Sequence, residues 1–467
     1  MEVSLGRRSP QAKNLARQDF SRVSVKAGPK PRSATPSAGT LASLLCKLDF
    51  NTPKEYIMKK LILSAIFLLF GFHCAISQEV KFSGTLETLW GAGAPWTDKD
   101  TARGRMTLGE TSFTGKIDSY FGNSSALVEG SAKYDSIEDS QEFSVDECWL
   151  DYTSDFWGVR IGRQKTAWGK ADGIDITNVI CPKDLSSLAV MTTNEKCAID
   201  AVRFSVNGNQ FTADAYWIPF FTPAKLSDAK FEKPESKLSN DEGGLKLSGY
   251  FSVLDFSLYG FYGRDDMPFL DYTMSAEGVK VTGEYKDMAM FGMDTAIPIK
   301  ETVLRMEAAF FPQRNFQKSS RIIIEEKMFA SEKGSFASVE SSLQRNELSA
   351  LAGLDWMPES WTFTAQYYCD YVFGELENLE REKALQHGAT LSVSKKLLSD
   401  TLELSLSGVL GLNDFDSFIK PAVTYSLSDQ INLSGGAYIF IPGPDKDGQY
   451  GSYKDLSTGY IKCKFSF

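Results

Sequence analysis

Carboxylates spaced four residues apart are the first groups in this chain that could carry chemistry. Glu147 and Asp151 lie in one run of alternating polar and apolar residues, so on an extended strand they project to the same side. Such a pair could suggest a hydrolase that works by acid and base catalysis. However, the sequence has only two histidines, His73 and His387, and no phosphate-binding glycine loop with its lysine. The sequence therefore favours neither an enzyme nor a metal or cofactor site.

Charged residues of both signs occupy the polar positions of many similar runs. If the apolar face of each run meets lipid, the opposite face lines a water-filled interior, where charged groups set which ions and solutes pass. The alternative is that these residues are merely solvated and tie neighbouring strands together by cross-strand pairs. The predicted lumen residues are Glu129, Lys133, Glu147, Asp151, Arg160, Arg203, Arg305, Glu307, Lys420, Lys462 and Lys464.

The elements that carry these residues are alternating runs that repeat from Lys81 to Phe467. In 401–411, for example, leucines at 402, 404, 406 and 410 oppose Glu403, Ser405 and Ser407, which is the period of a strand with two unlike faces. Most runs reach about ten residues, whereas strands of a soluble sandwich have about five or six and a tilted bilayer-crossing strand needs about nine to eleven. The pattern predicts an all-β fold, a transmembrane antiparallel up-and-down β-barrel, rather than a secreted sandwich or solenoid.

The number of strands follows from the connections. Short turns alternate with long polar loops at Gly162–Lys196, Pro219–Asp241, Gly263–Asp287 and Arg314–Gln344, as expected for periplasmic turns and outer loops. A simple count gives 19 runs, but barrels of this type normally have an even number of strands. The weakest run, Gly278–Tyr285, is assigned to a protruding outer loop. We therefore predict 18 strands, with 16 as the alternative.

The segment 58–77 has the features of a cleaved secretory signal peptide. Lys59 and Lys60 precede an apolar stretch of 12 residues from Leu61 to Phe72, too short for a bilayer-spanning helix, and Ala75-Ile76-Ser77 is a small-x-small cleavage site. Cleavage between Ser77 and Gln78 is expected; a short buried helix and lipidation at Cys74 are the alternatives.

Residues 1–57 are basic and rich in Ser, Pro and Ala, which predicts a disordered leader. Because a signal peptide behind such a leader would be unusual, we expect translation to start at Met58 and the β-barrel to comprise 78–467. Residues 1–77 hold 12 of the 50 basic and 4 of the 60 acidic residues, so the remaining chain has 38 basic and 56 acidic residues and a net charge of −18. This charge argues against a nucleic-acid partner.

The last run carries a signal of its own. Ile461, Cys463, Phe465 and Phe467 project to one face, and the chain ends on an aromatic residue. Ile461, Phe465 and Phe467 resemble the C-terminal sequence that the outer-membrane barrel-assembly machinery reads, which implies that machinery as a partner.

The loop 162–196 contains the most distinctive motifs. Arg163-Gln164, Trp168-Gly169, Asp172 and Pro182-Lys183-Asp184-Leu185 resemble a segment of outer-membrane porin-like barrels related to the alginate-export families, and Met290–Phe311 resembles another. The resemblance implies a loop that folds inward and narrows a pore. It makes constriction candidates of Arg163, Gln164, Asp172, Asp175, Lys183 and Asp184. The alternative is a loop that is simply pinned by its Trp and Pro residues.

Five cysteines lie after the signal peptide. The alternation points Cys148, Cys369 and Cys463 toward lipid, which leaves Cys181 and Cys197 as a disulfide that closes the long loop. Two free thiols are the alternative.

These features predict an outer-membrane channel, a porin, through which small polar or charged solutes diffuse. The alternatives are a dedicated exporter or uptake channel for one solute class and a surface adhesin or structural barrel without transport. A polyuronate conduit should have a strongly basic lumen, whereas this one is mixed. The expected partners are outer-membrane lipid, the assembly machinery and small solutes, and a homotrimer is an open alternative. Export would use the general secretory pathway.

Overall fold

The computed structural model describes residues 79–98, 102–186, 195–226, 231–275, 278–332, 339–444 and 448–467. The predicted leader 1–57, the export signal 58–77 and the cleavage site between Ser77 and Gln78 lie outside these residues. No helix within the described ranges is both long and apolar enough to cross a bilayer.

Eighteen antiparallel strands form one closed barrel, as predicted. Each strand pairs with the next along the chain, and the last pairs with the first from Thr85↔Ser466 to Gly93↔Thr458. The strands are β1 (Glu79–Gly93), β2 (Met106–Phe121), β3 (Ser124–Asp135), β4 (Ser140–Thr153), β5 (Trp157–Gln164), β6 (Ile199–Asn207), β7 (Phe211–Ile218), β8 (Glu242–Tyr250), β9 (Asp255–Arg264), β10 (Asp287–Ile299), β11 (Thr302–Gln317), β12 (Ser342–Trp356), β13 (Trp361–Val372), β14 (Leu385–Leu397), β15 (Leu402–Gly411), β16 (Ser417–Ser426), β17 (Ile431–Ile441) and β18 (Thr458–Ser466).

The alternation in the sequence becomes an outer and an inner face of this wall. On β7, the outward Trp217 is 48% exposed, whereas the neighbouring inward Tyr216 is 6% exposed. Leu258 and Phe291 are likewise exposed on the outside, next to the buried inward residues Tyr259 and Met290. Since successive side chains of a strand point to opposite faces, the register fixes which residues meet the lumen.

The two ends of the barrel differ in their connections. One end has short turns such as 122–123, 208–210, 300–301 and 357–360, together with both ends of the barrel chain. The other end has the large loops 165–198, 219–241, 265–286 and 318–341. This arrangement agrees with the predicted loop pattern.

The weakest run of the sequence, Gly278–Tyr285, is not a strand of the barrel wall, as predicted. Gly278–Glu284 pairs with Phe269–Ser275 to form a separate two-stranded sheet within loop 265–286. The loop that follows β11 contains the helix α1 (Ser320–Glu332). The structure thus confirms 18 strands over the alternative of 16.

Phe467, the last residue of the chain, takes part in the pairing that closes the barrel between β1 and β18. The N–H of Phe467 donates to the carbonyl of Gly84 at 3.0 Å, and the N–H of Gly84 donates to the carbonyl of Phe467 at 3.0 Å. The Phe467 ring lies next to Phe82 and Phe113, with centroid distances of 5.8 and 6.4 Å. The terminal aromatic that resembles an assembly signal is therefore also part of the folded wall.

Candidate functional site

The inner face of the barrel carries the charged residues that the sequence indicated. The register places all of them on the lumen side, and several form ion pairs across neighbouring strands. Lys133 lies 2.8 Å from Glu110, Lys462 lies 3.4 Å from Glu87, and Arg305 pairs with Asp355. Pairs of this kind tie strands together and lower the net field in the lumen. The inward residues are Glu129, Lys133, Glu147, Asp151, Arg160, Arg203, Arg305, Glu307, Lys420, Lys462 and Lys464.

The densest group of charges lies on β4, β5 and β6. Asp151 accepts a hydrogen bond from Arg160 Nε at 2.8 Å and lies 3.4 Å from Arg203 Nη2. The Arg160 guanidinium stacks over the ring of Trp149, 3.8 Å from its centroid. The register places Trp149 inside the barrel. Beside this group, Arg203 and Asp214 line a polar cavity of about 220 Å³.

The loop between β5 and β6 folds into the barrel. We call residues 165–198 the inward loop; its described parts are 165–186 and 195–198. Trp168 is 3% exposed and stacks on Tyr259 at a centroid distance of 4.9 Å, with edge contacts to Tyr216 and Phe261. All three aromatic partners project inward from β7 and β9, so the Trp168 side chain is a large apolar anchor on the inner wall.

Polar contacts extend this docking along the wall as far as β13. Arg305 on β11 donates from Nη1 to the carbonyl oxygen of Lys170 at 2.7 Å. The Gln366 amide on β13 accepts from the N–H of Asp172 at 3.0 Å and donates to its carbonyl at 2.7 Å. Glu307 on β11 accepts hydrogen bonds from three groups of the loop. The inward loop thus lies against the wall formed by β6 to β13, which we call the covered wall.

The prediction that Arg163 lines a constriction is wrong. Strand β5 continues to Gln164, so alternation carries Arg163 to the outer face, opposite Cys148 and beside Asp200, with 3.7 Å between Nε and Oδ1. Gln164 does point inward but is fully buried, and it donates to the carbonyl of Ala201 at 2.9 Å. Gln164 therefore anchors the start of the loop.

The remaining constriction candidates lie in the inward loop itself. Asp172 is exposed and is held through its backbone by Gln366. Asp175 binds Lys196 at 2.6 Å and Lys183 at 3.3 Å, and burial lowers the pKa of Lys196 although Asp175 opposes that shift. Asp184 lies 3.7 Å from Lys225 and accepts a hydrogen bond from the Ser186 hydroxyl at 2.6 Å. Asp172 and Lys183 are the two with exposed side chains.

The predicted disulfide between Cys181 and Cys197 is absent; both are free thiols. Lys183 and Lys196 form an antiparallel bridge and the N–H of Cys197 donates to the carbonyl of Pro182, so Cys197 is opposite Pro182. Cys181, one residue earlier, points to the other face of this pairing, and side chains that point apart cannot be bridged. Burial raises the pKa of Cys181 to about 11.

Sequence reasoning missed the partners that hold the loop. Tyr259 and Phe261 are aromatic residues in the polar phase of their strand's alternation, and this signal could have marked a place where the inner wall is covered. Gln366 had no such signal, because an inward glutamine is ordinary on a water-facing wall. Its contact with Asp172 joins residues 194 positions apart.

Among the comparisons with known proteins, the two OpdK structures share this architecture. The sequence matches no protein-family model and no curated protein. Among solved structures, the chain is similar to OpdK of Pseudomonas aeruginosa crystallised with vanillate, at 6% identity and a TM-score of 0.51, covering 84% of this chain and 100% of that one. A second OpdK structure gives 6% identity, the same coverage and a TM-score of 0.50. The outer membrane channel DcaP of Acinetobacter baumannii has 10% identity and a TM-score of 0.41, covering 83% of this chain and 97% of that one. At these identities the OpdK likeness establishes the fold.

Proposed function

We propose that this protein is an outer-membrane channel through which small polar or charged solutes diffuse. One observation carries the proposal: a closed wall of 18 strands has an apolar outer face and a charged inner face, and one loop is docked inside it. Barrels of about 16 to 18 strands enclose an aqueous channel, whereas narrower barrels are filled by their own side chains. The inward loop narrows such a channel from the covered wall.

The charges on the inner wall favour weak rather than strict selectivity. Carboxylates offset many of the inward basic residues, as in the contacts of Asp151 with Arg160 and of Glu87 with Lys462. Lys420 is different, because its ammonium lies over the Tyr438 ring, 5.5 Å from the centroid, and forms no ion pair with a carboxylate among the described residues. A polyuronate conduit would need a strongly basic lumen, so the mixed wall supports small solutes better than alginate.

Placement in the outer membrane follows from the same features. The exposed outer face of the barrel suits lipid, and the C-terminal strand with Ile461, Phe465 and Phe467 suits recognition by the assembly machinery. The export signal at 58–77 would deliver the chain to the periplasm. A homotrimer stays a prediction that no contact within this single chain addresses.

Current through planar bilayers that contain the purified protein tests the proposal. We expect stepwise current increases and, in a KCl gradient, a reversal potential that shows weak selectivity. Lys420→Gln should shift the reversal potential toward cations, because it removes a positive charge that no carboxylate offsets. The conservative Lys420→Arg is the matched control and should behave like the wild type. Absence of current steps would refute the channel and leave an adhesin or structural barrel.

A further inference from the structure

A buried carboxylate of the covered wall, Glu307, binds the inward loop. Glu307 is 4% exposed, and its Oε1 accepts hydrogen bonds from the backbone N–H groups of Lys170 and Ala171. Its Oε2 accepts a hydrogen bond from the Thr177 hydroxyl at 3.2 Å. Two successive N–H groups that converge on one anion form a nest, which is a strong anion-binding arrangement of the backbone. One wall side chain thus holds two separate parts of the loop.

Gly169 allows the backbone to approach this carboxylate. Its φ of +83° lies in the left-handed region that favours glycine, and a Cβ atom there would be 2.8 and 2.9 Å from the two Glu307 oxygens. The same atom would be 2.7 Å from Thr177 Oγ1. Any other residue at 169 would therefore push the loop away from the wall.

A second buried carboxylate, Asp294, lies next to Glu307 and is also contacted by the loop. Asp294 faces Glu307 across β10 and β11 and is 1% exposed. The Tyr259 hydroxyl donates to Asp294 and accepts the N–H of Gly169 at 3.0 Å, while Lys170 Nζ lies 3.8 Å from Asp294 Oδ1. Two adjacent carboxylates repel each other in a buried site. The loop supplies the N–H groups and the ammonium that offset this repulsion.

We propose that Glu307 is a positioning residue that sets the width of the pore by fixing the inward loop to the covered wall. The contact itself is visible in the structure, and only its effect on current rests on the proposed channel function. Hydrogen bonds to a charged acceptor are stronger than those to a neutral one, so the carboxylate outweighs the neutral anchor Gln366. Arg305 is also charged, but it binds one carbonyl of the loop, whereas Glu307 binds three donors of the loop. Without it, the segment from Gly169 to Thr177 leaves the wall and moves within the lumen.

Hydrogen exchange of the folded barrel in detergent micelles, read by mass spectrometry, tests the seat directly. Glu307→Ala and Gly169→Ala should each speed exchange in peptides that cover 168–177 by about tenfold or more. Gly169→Ala displaces the loop without changing any charge or any wall residue, so it decides the question if Glu307→Ala fails to fold. Glu87→Gln, which removes an inward carboxylate on β1, is the charge-matched control and should leave this exchange unchanged. Unchanged exchange in a folded Glu307→Ala barrel would overturn the proposal. If Glu307→Ala does not fold, unchanged exchange in Gly169→Ala would overturn it.

The same variants in planar bilayers separate this inference from the proposed function. We expect one steady current level for the wild type and fluctuation among several levels for Glu307→Ala and Gly169→Ala. A wild type without current steps would refute the channel, while the exchange data would still decide whether Glu307 seats the loop. Faster exchange combined with a steady current of wild-type size would refute the control of pore width by Glu307.

Discussion

Replacing Gly84 with alanine should destabilise the barrel by about 1 to 3 kcal/mol, the usual cost of overpacking. The Gly84 backbone pairs with the terminal Phe467, and a Cβ atom at 84 would be 2.7 Å from Phe467 Cζ and 2.8 Å from the carbonyl oxygen of Thr114. The phenyl ring can rotate away, but the Thr114 oxygen belongs to the backbone of β2. The strand must therefore shift at the seam where the barrel closes.

Gly115 provides a matched control, because it is the direct partner of Gly84 across β1 and β2 and faces the same side. A Cβ atom at 115 would meet the Phe113 ring at 3.4 Å, an ordinary contact. Since glycine within a strand costs about 0.5 to 1 kcal/mol relative to alanine, Gly115→Ala should be neutral or slightly stabilising.

The free energies of unfolding of the two variants can be measured in guanidinium chloride. The folded fraction is read from the different mobility of folded and unfolded protein on gels. The two variants should differ by about 1 to 4 kcal/mol, from the smallest cost at Gly84 with a neutral Gly115→Ala to the largest cost with a stabilising one. A Gly84→Ala barrel as stable as the Gly115→Ala barrel would refute the claim that Phe467 and β2 leave no room at the seam.

Three further predictions concern the lumen and the loop. Trp168→Ala should weaken docking of the inward loop by about 3 to 5 kcal/mol, seen as faster exchange of its amides, and an unchanged rate would contradict its role as the apolar anchor. Arg163→Ala should leave conductance unchanged because Arg163 faces outward, whereas Arg160→Ala should raise cation selectivity because it removes an inward positive charge; equal effects would contradict the assigned faces. Burial raises the pKa of Cys181 to about 11, so alkylation of this thiol in the native barrel should stay slow until the pH approaches that value. Docking of the loop should weaken as the pH rises from 9 toward 11, because the thiolate is more stable when the loop exposes it to water. A disulfide-linked Cys181–Cys197 peptide would contradict the free thiols.

The sequence by itself determined the wall of this protein. Alternation of apolar and polar residues is a local property, so about ten consecutive residues are enough to assign the two faces of a strand. That is why the strand number, the pattern of short and long connections and the inward placement of residues such as Arg160 and Lys420 could be predicted. Each strand then pairs with the next one along the chain, and the first strand pairs with the last to close the barrel.

Tertiary structure alone decided what the loop does. Strand β5 runs to Gln164, and these few extra residues turn Arg163 outward; strand ends are the least certain part of any sequence pattern. The pairing of Lys183 with Lys196 separates the faces of Cys181 and Cys197, which spacing along the chain could not show. The seat on Glu307 lies 136 residues beyond Ala171. Such contacts depend on which side chains the curved wall brings together, because the loop meets strands that are distant in sequence and adjacent only in the closed barrel.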